Sequence, residues 1–310
     1  MMRLQGGRIE MMCKLAGASR TGFYRYLARK APPEADMELR HQLQAIALEN
    51  RFYGYRRVSA ELRRKGFVVN HKKVLRMMRQ DNLLVLRKRK FVATTDSKHT
   101  WAVYPNWAAT VEVTGPNQLW VADLTYIRLQ SEFVYLAVVL DVYSRRVAGW
   151  CLGRSLQASL CITALEHAIA DRKPPPGLVH HSDRGVQYAS PAYGDLLARH
   201  KMMGSMSRAG CPYDNAYCES FMKTLKQEEV DGRQYTGLED LELHCREFID
   251  GYYNTRRLHS ALGYRPPEEY EQSQSRAAQS APAGQQVSFT STDHADAADQ
   301  EKEGALECVF

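Results

Sequence analysis

From Asn117 onward the spacing of apolar residues admits few folds. Leu119 to Ile127, Phe133 to Leu140 and Arg146 to Leu152 are short apolar runs, separated by turn residues near Gln130-Ser131 and Tyr143-Ser144-Arg145. They read as three consecutive strands. The pattern then alternates: a helix from Ser159 to Ala170, a strand from Leu178 to His181, a helix from Pro191 to His200, a strand from Met202 to Met206 and a helix from Asn215 to Glu229. Leu238 to Asn254 reads as one more helix. Strands in succession followed by helix–strand alternation predict an α/β domain, a mixed five-stranded sheet with flanking helices.

Three carboxylates sit in this stretch. Asp123 lies in Trp120-Val121-Ala122-Asp123-Leu124-Thr125-Tyr126, Asp183 in His180-His181-Ser182-Asp183-Arg184-Gly185, and Glu219 in Tyr213-Asp214-Asn215-Ala216-Tyr217-Cys218-Glu219-Ser220-Phe221. Asp123 shares its strand parity with Leu119, Val121 and Ile127, so its face should be buried. Asp183 follows the fourth strand, at the carboxyl edge where open α/β sites form. Glu219 falls in the first turns of a helix whose core face is expected to carry Tyr217, Phe221 and Leu225, with Asn215, Lys223 and Lys226 on the carboxylate's side. Carboxylates in an apolar setting need neutralising, and a pair of Mg²⁺ ions is the natural counter-charge. In that arrangement Asp123 bridges both ions, Asp183 and Glu219 hold one each, and Lys223 and Lys226 hold a phosphodiester backbone. Asp141 is the expected decoy, a turn residue, and Asp214 is expected to cap the Glu219 helix. His180, His181 and Cys218 read as packing groups.

Charge points to the partner. The net +7 conceals an asymmetry, with 23 Lys/Arg against 8 Asp/Glu in residues 1–100. A basic front end implies a polyanion. Residues 1–32 read as a partial helix-turn-helix, with Ser19 as N-cap and Arg20, Thr21, Tyr24 and Arg25 able to face a groove. Residues 36–84 repeat the theme as three helices, with Asn70 capping the third. Arg56, Arg57, Lys72, Lys73 and Arg76 are their candidate DNA contacts, together with Arg63, Arg64 and Arg79. Residues 85–116 form a basic linker, 117–272 the catalytic core, and 273–310 an acidic tail expected to be disordered. Seven scattered cysteines do not suggest a disulfide framework. With no export signal or apolar span visible, a cytoplasmic protein is expected.

With these residues in view, the chain resembles the OrfB-type transposases of bacterial insertion sequences, the insertion-sequence-three family, whose core is similar to retroviral integrases and ribonuclease H-like in fold. The resemblance covers about residues 5–270. It is carried by the three carboxylate segments, by Tyr53-Gly54-Tyr55-Arg56-Arg57, and by the run from Tyr253-Asn254-Thr255-Arg256-Arg257-Leu258 through His259 to Tyr264. The 35 residues between Asp183 and Glu219, and a Lys seven positions after the Glu, here Lys226, match the family pattern. Arg184, Arg256 and Arg257 lie inside matching segments and join the candidate DNA contacts. The resemblance implies a DDE transposase that uses Mg²⁺, with Mn²⁺ able to substitute, to cut and join DNA at terminal inverted repeats. It implies target DNA as a second partner, self-association at least to a dimer on DNA, and a fusion with an upstream-frame product. The alternative is a catalytically inactive DNA-binding relic that represses its own element.

Overall fold

A computed structural model describes residues 6–27, 34–85, 103–130, 132–208 and 211–280. The sheet consists of β1 (Leu119–Arg128), β2 (Phe133–Asp141), β3 (Val147–Gly153), β4 (Val179–Ser182) and β5 (Met203–Met206), in the order β3-β2-β1-β4-β5. β1 pairs antiparallel with β2 and parallel with β4, so it lies in the middle and joins the hairpin half to the crossover half.

Strand alternation divides the core in two. Leu119, Val121 and Ile127 face one side of β1, with Val134, Leu136, Val138 and Leu140 of β2 beside them. This side is covered by α8 (Ala216–Leu225) and α9 (Leu238–Phe248) through Cys218, Phe221, Leu225, Leu241 and Phe248. Trp120, Ala122, Ala137 and Val139 face the other side, under α6 (Ala158–Arg172) and α7 (Pro191–Arg199). A sheet buried on both faces explains why its strands read as nearly continuous apolar runs.

The front end holds α1 (Gly6–Leu15), α2 (Arg20–Leu27), α3 (Glu34–Glu49), α4 (Tyr55–Arg64) and α5 (His71–Gln80). Ser19 Oγ accepts from Gly22 N at 3.0 Å, and Asn70 Oδ1 from Lys72 N at 2.8 Å, so both expected caps form. Leu39, Leu43, Ile46, Val58, Leu62, Val74 and Met78 close the α3–α5 core. Leu258, from far along the chain, is buried in the same cluster.

Three expectations are corrected. Residues 103–116 are no free tether, because Tyr104 and Ala108 pack on the domain and Ala108 N donates to Ser205 Oγ at 3.2 Å. The expected boundary at 272 falls inside α10 (Pro267–Ser280). That helix is anchored by a two-bond Arg172–Glu271 pair at 2.7 and 2.8 Å and by Arg64–Glu269 at 2.6 Å. Tyr217 is exposed rather than in the core, and Cys218 and Met222 take the inward positions. The tail from 281 and most of the linker, 86–102, lie outside the described residues. No helix among the described residues is long and apolar enough to cross a membrane.

Candidate active site

The sheet register brings two of the carboxylates together. Val121 of β1 is level with His181 of β4, and Asp123 and Asp183 each lie two residues further along their parallel chains. Neighbouring strands run about 4.8 Å apart. The two aspartates therefore stand side by side where β4 ends and β1 continues.

α8 brings the third. Asn215, just before the helix, donates from Nδ2 to Ala122 O at 2.9 Å, and Cys218 Sγ contacts Val121 O at 3.4 Å. These contacts hold the first turn of α8 against the backbone that carries Asp123. Glu219 follows Cys218 at an exposed position. The Cys218 thiol is pushed far up, by burial first and then by Asp123, Asp183 and Glu219, so it feels all three carboxylates.

Electrostatics single out Asp123. Burial, reinforced by Asp183 and more weakly by Glu219, pushes its carboxyl up to about 7, against a pull downward from Leu124 N–H and Lys226. Burial also raises Glu219. Lys226 is the cation of the site. Its Nζ lies 4.9 Å from the centre of the Tyr126 ring, and burial lowers its pKa while Asp123 and Asp231 raise it. Asp183 Oδ1 accepts from Gly185 N at 2.9 Å, which orients that carboxylate.

The donor set suits a hard divalent cation: oxygen donors only, with Asp183 and Glu219 adding to the desolvation that raises Asp123. Among the described residues no three His, Cys, Asp or Glu side chains are drawn in tightly enough to hold an ion.

The sign of the Asp123 shift gives a test. Its carboxyl is held above its ordinary 3.8, so the folded protein keeps a proton that the unfolded chain has released. The stability this contributes is complete below about pH 4 and is lost as pH rises through about 7. Metal-free protein is therefore expected to melt at a lower temperature at pH 8 than at pH 5.5, and Mg²⁺ to raise Tm more at pH 8. Scanning calorimetry of the four conditions checks this, and equal Mg²⁺ effects at both pH values would contradict it.

The other candidates divide. Asp141 is a turn organiser: fully buried, it accepts from Asn117 N at 2.7 Å, Tyr143 N at 2.9 Å and Trp120 Nε1 at 3.3 Å. It is level with Trp120, three rows from Asp123. His181 bonds Ser205 and Ser207, and His180 bonds Tyr193, with burial pushing His180 down to about 3. Asp214 does not cap α8. It pairs with Arg208 at 2.9 Å and accepts from Asn106 at 3.0 Å, and Arg208 holds its carboxyl well below the usual range.

Among the expected DNA contacts, Lys72 and Arg76 are exposed on one face of α5 with Arg79, and Arg56, Lys223 and Arg256 are also exposed. Arg184 is half-buried and donates to Ser207 O at 2.8 Å, while Lys73 and Arg64 pair with Asp36 and Glu269. Arg257 and Arg57 are corrections. Arg257 is buried in a two-bond pair with Glu228 at 2.7 and 2.9 Å, and Arg57 approaches the same carboxylate at 3.9 Å. Opposing charge from a distant helix draws both inward. Nothing in the local sequence marked Glu228 as their partner.

Comparison with known proteins agrees with this architecture. Integrase core domain models match residues 113–212 and 200–267, and an HTH-like domain model matches residues 34–91. The chain is 36% identical over 265 residues to the insertion element IS600 uncharacterized 31 kDa protein of Shigella sonnei, covering 84% of this chain and 97% of that protein. It is 35% identical over 269 residues to the transposase InsF for insertion sequence IS3A of Escherichia coli, covering 85% and 93%. Among solved structures, the HTLV-2 integrase catalytic core domain in complex with magnesium aligns over 51% of this chain and 98% of that one, at 16% identity and TM-score 0.39. A simian T-cell lymphotropic virus intasome aligns over 79% and 76%, at 14% identity and TM-score 0.45. The chain belongs to the insertion-sequence-three family of transposases, enzymes of DNA transposition built on an integrase core.

Proposed function

We propose that Asp123, Asp183 and Glu219 carry out Mg²⁺-dependent cleavage and joining of DNA at the terminal inverted repeats of an insertion sequence. The observation that carries this reading is the register that sets Asp123 of β1 level with Asp183 beyond β4, with the first turn of α8, which bears Glu219, held on the same stretch of β1 by Asn215 and Cys218. Bound between them, a pair of Mg²⁺ ions supplies activation of the attacking hydroxyl and stabilisation of the leaving oxygen. Asp123, flanked by the other two, would hold the ions together with them.

In cleavage, water bonds to the scissile phosphorus and the 3′-oxygen leaves as a hydroxyl. In joining, that 3′-hydroxyl bonds to a target phosphorus and the target's own 3′-oxygen leaves. Lys226 offsets negative charge at the reacting phosphate. Lys223, Arg56, Lys72, Arg76 and Arg256 hold the flanking backbone, a salt-sensitive contribution. Joining two element ends calls for two such sites, so the working form is at least a dimer on DNA.

The test incubates full-length protein with labelled terminal-repeat DNA and Mg²⁺, beside Asp183→Asn. The parent is expected to give 3′-nicked and joined products, and Asp183→Asn none, with both binding the DNA. Binding without products from the parent would instead identify a DNA-binding relic. Equal products from the variant would remove Asp183 from the catalytic set.

A further inference from the structure

Two π-helical turns, Lys226–Val230 and Ile249–Tyr253, continue α8 and α9, and they meet at one buried carboxylate. Tyr252 of the second turn donates its hydroxyl to Glu228 Oε2 at 3.3 Å. Arg257 donates to both Glu228 oxygens, and these two side chains are only 5% and 6% exposed. Removing one partner from so buried a pair leaves an uncompensated charge, so the carboxylate depends on its cations.

One of those cations comes from the other domain. Arg57 of α4 approaches Glu228 Oε1 at 3.9 Å and lies over the Tyr53 ring at 5.5 Å. The Tyr53 hydroxyl accepts from Leu258 N at 2.9 Å, beside Arg257. Two residues before Glu228, on the same π turn, stands Lys226 with its ammonium at Tyr126. A π turn is rare and often occurs at functional sites. Here one turn presents a cation to the catalytic carboxylates and an anion to the DNA-reading domain.

We propose that Glu228 is a positioning residue: seated between Arg57 and Arg257, it fixes the π turn that holds Lys226 at the catalytic carboxylates. The placement of Lys226 then depends on the docking of the helix-turn-helix domain. This inference rests on the reading of the site given above. A displacement of about 1 Å at a reacting centre can cost about a hundredfold in rate.

The test variant is Arg57→Leu in the full chain. It leaves the buried Arg257–Glu228 pair intact and replaces a side chain that is 25% exposed. At saturating terminal-repeat DNA, single-turnover joining is expected to fall about tenfold or more. Kd and its salt dependence should match the parent. Amide hydrogen exchange across Lys226–Val230 should rise about tenfold while α6 stays unchanged. Glu228→Gln should show the same split, and the double variant should be no slower than the slower single variant, because both break one linkage.

A parental joining rate in Arg57→Leu overturns the proposal. So does weaker DNA binding with a reduced salt slope and a normal rate at saturation, which would make Arg57 a phosphate contact. Hydrogen exchange does not depend on product formation. A parent that makes no products therefore overturns the transposition reading, whereas unchanged exchange across 226–230 overturns this one.

Discussion

Asp123→Asn is expected to lower cleavage and joining by at least about a thousandfold, since loss of a proposed metal ligand removes several kcal/mol and each 1.36 kcal/mol is a factor of ten. At the same time, the metal-free variant should melt at the same temperature as the parent or higher at pH 8. The reason is the raised carboxyl: near pH 8 the parent carries a half-buried negative charge that desolvation and Asp183 both oppose. Asparagine keeps an acceptor for Leu124 N–H, which Asp123 Oδ1 now binds at 2.9 Å, and removes that charge. Single-turnover product formation and calorimetric Tm are the measurements. A variant that lost both activity and stability would show Asp123 to be a structural group, and a variant that stayed active would end its assignment as a metal ligand.

Gly149→Ala should have the largest effect on stability. A Cβ at Gly149 would lie 2.4 Å from Ala164 O, 2.5 Å from Ala168 N and 2.8 Å from Ala168 Cβ. Two of these atoms are α6 backbone, so no side chain can rotate out of the way. α6 must lift from β3, disturbing the face where Leu160, Ala164 and Ala168 pack on Ala137 and Val139. Overpacking of this kind costs about 3 kcal/mol or more. In a domain of this size that lowers Tm by roughly 6–12 °C. A melt within about 2 °C of the parent, less than 1 kcal/mol typically produces, would show that the helix accommodates the methyl without cost.

The core was legible because parity and period are local properties. The alternation of Leu119, Val121 and Ile127 located the buried face of β1, and the apolar run before His181 located β4. The register that sets Asp123 beside Asp183 then follows from pairing two parallel strands. Side-chain pairing across domains is not local. Arg57 and Arg257 read as surface cations because their counter-charge, Glu228, sits on a helix assigned a different duty. Helical spacing that correctly places Phe221 and Leu225 inward also points Tyr217 inward, but Cys218, with its thiol against Val121 O, takes that position. The α10 boundary was missed because its acidic, glutamine-rich sequence reads as tail. What anchors it is Arg172 and Arg64, about 99 and 205 positions away from Glu271 and Glu269.

The burial of Leu258 in the α3–α5 cluster, with the bond from its amide to Tyr53, has a consequence for biosynthesis. The helices that read DNA are translated first, yet part of their hydrophobic interior arrives 205 residues later. At 5–20 residues per second, that interval is roughly 10–40 s. Throughout it the α3–α5 cluster lacks Leu258. The seal between the first domain and the last segment of the core is therefore made only after Asp123, Asp183 and Glu219 have all been synthesised.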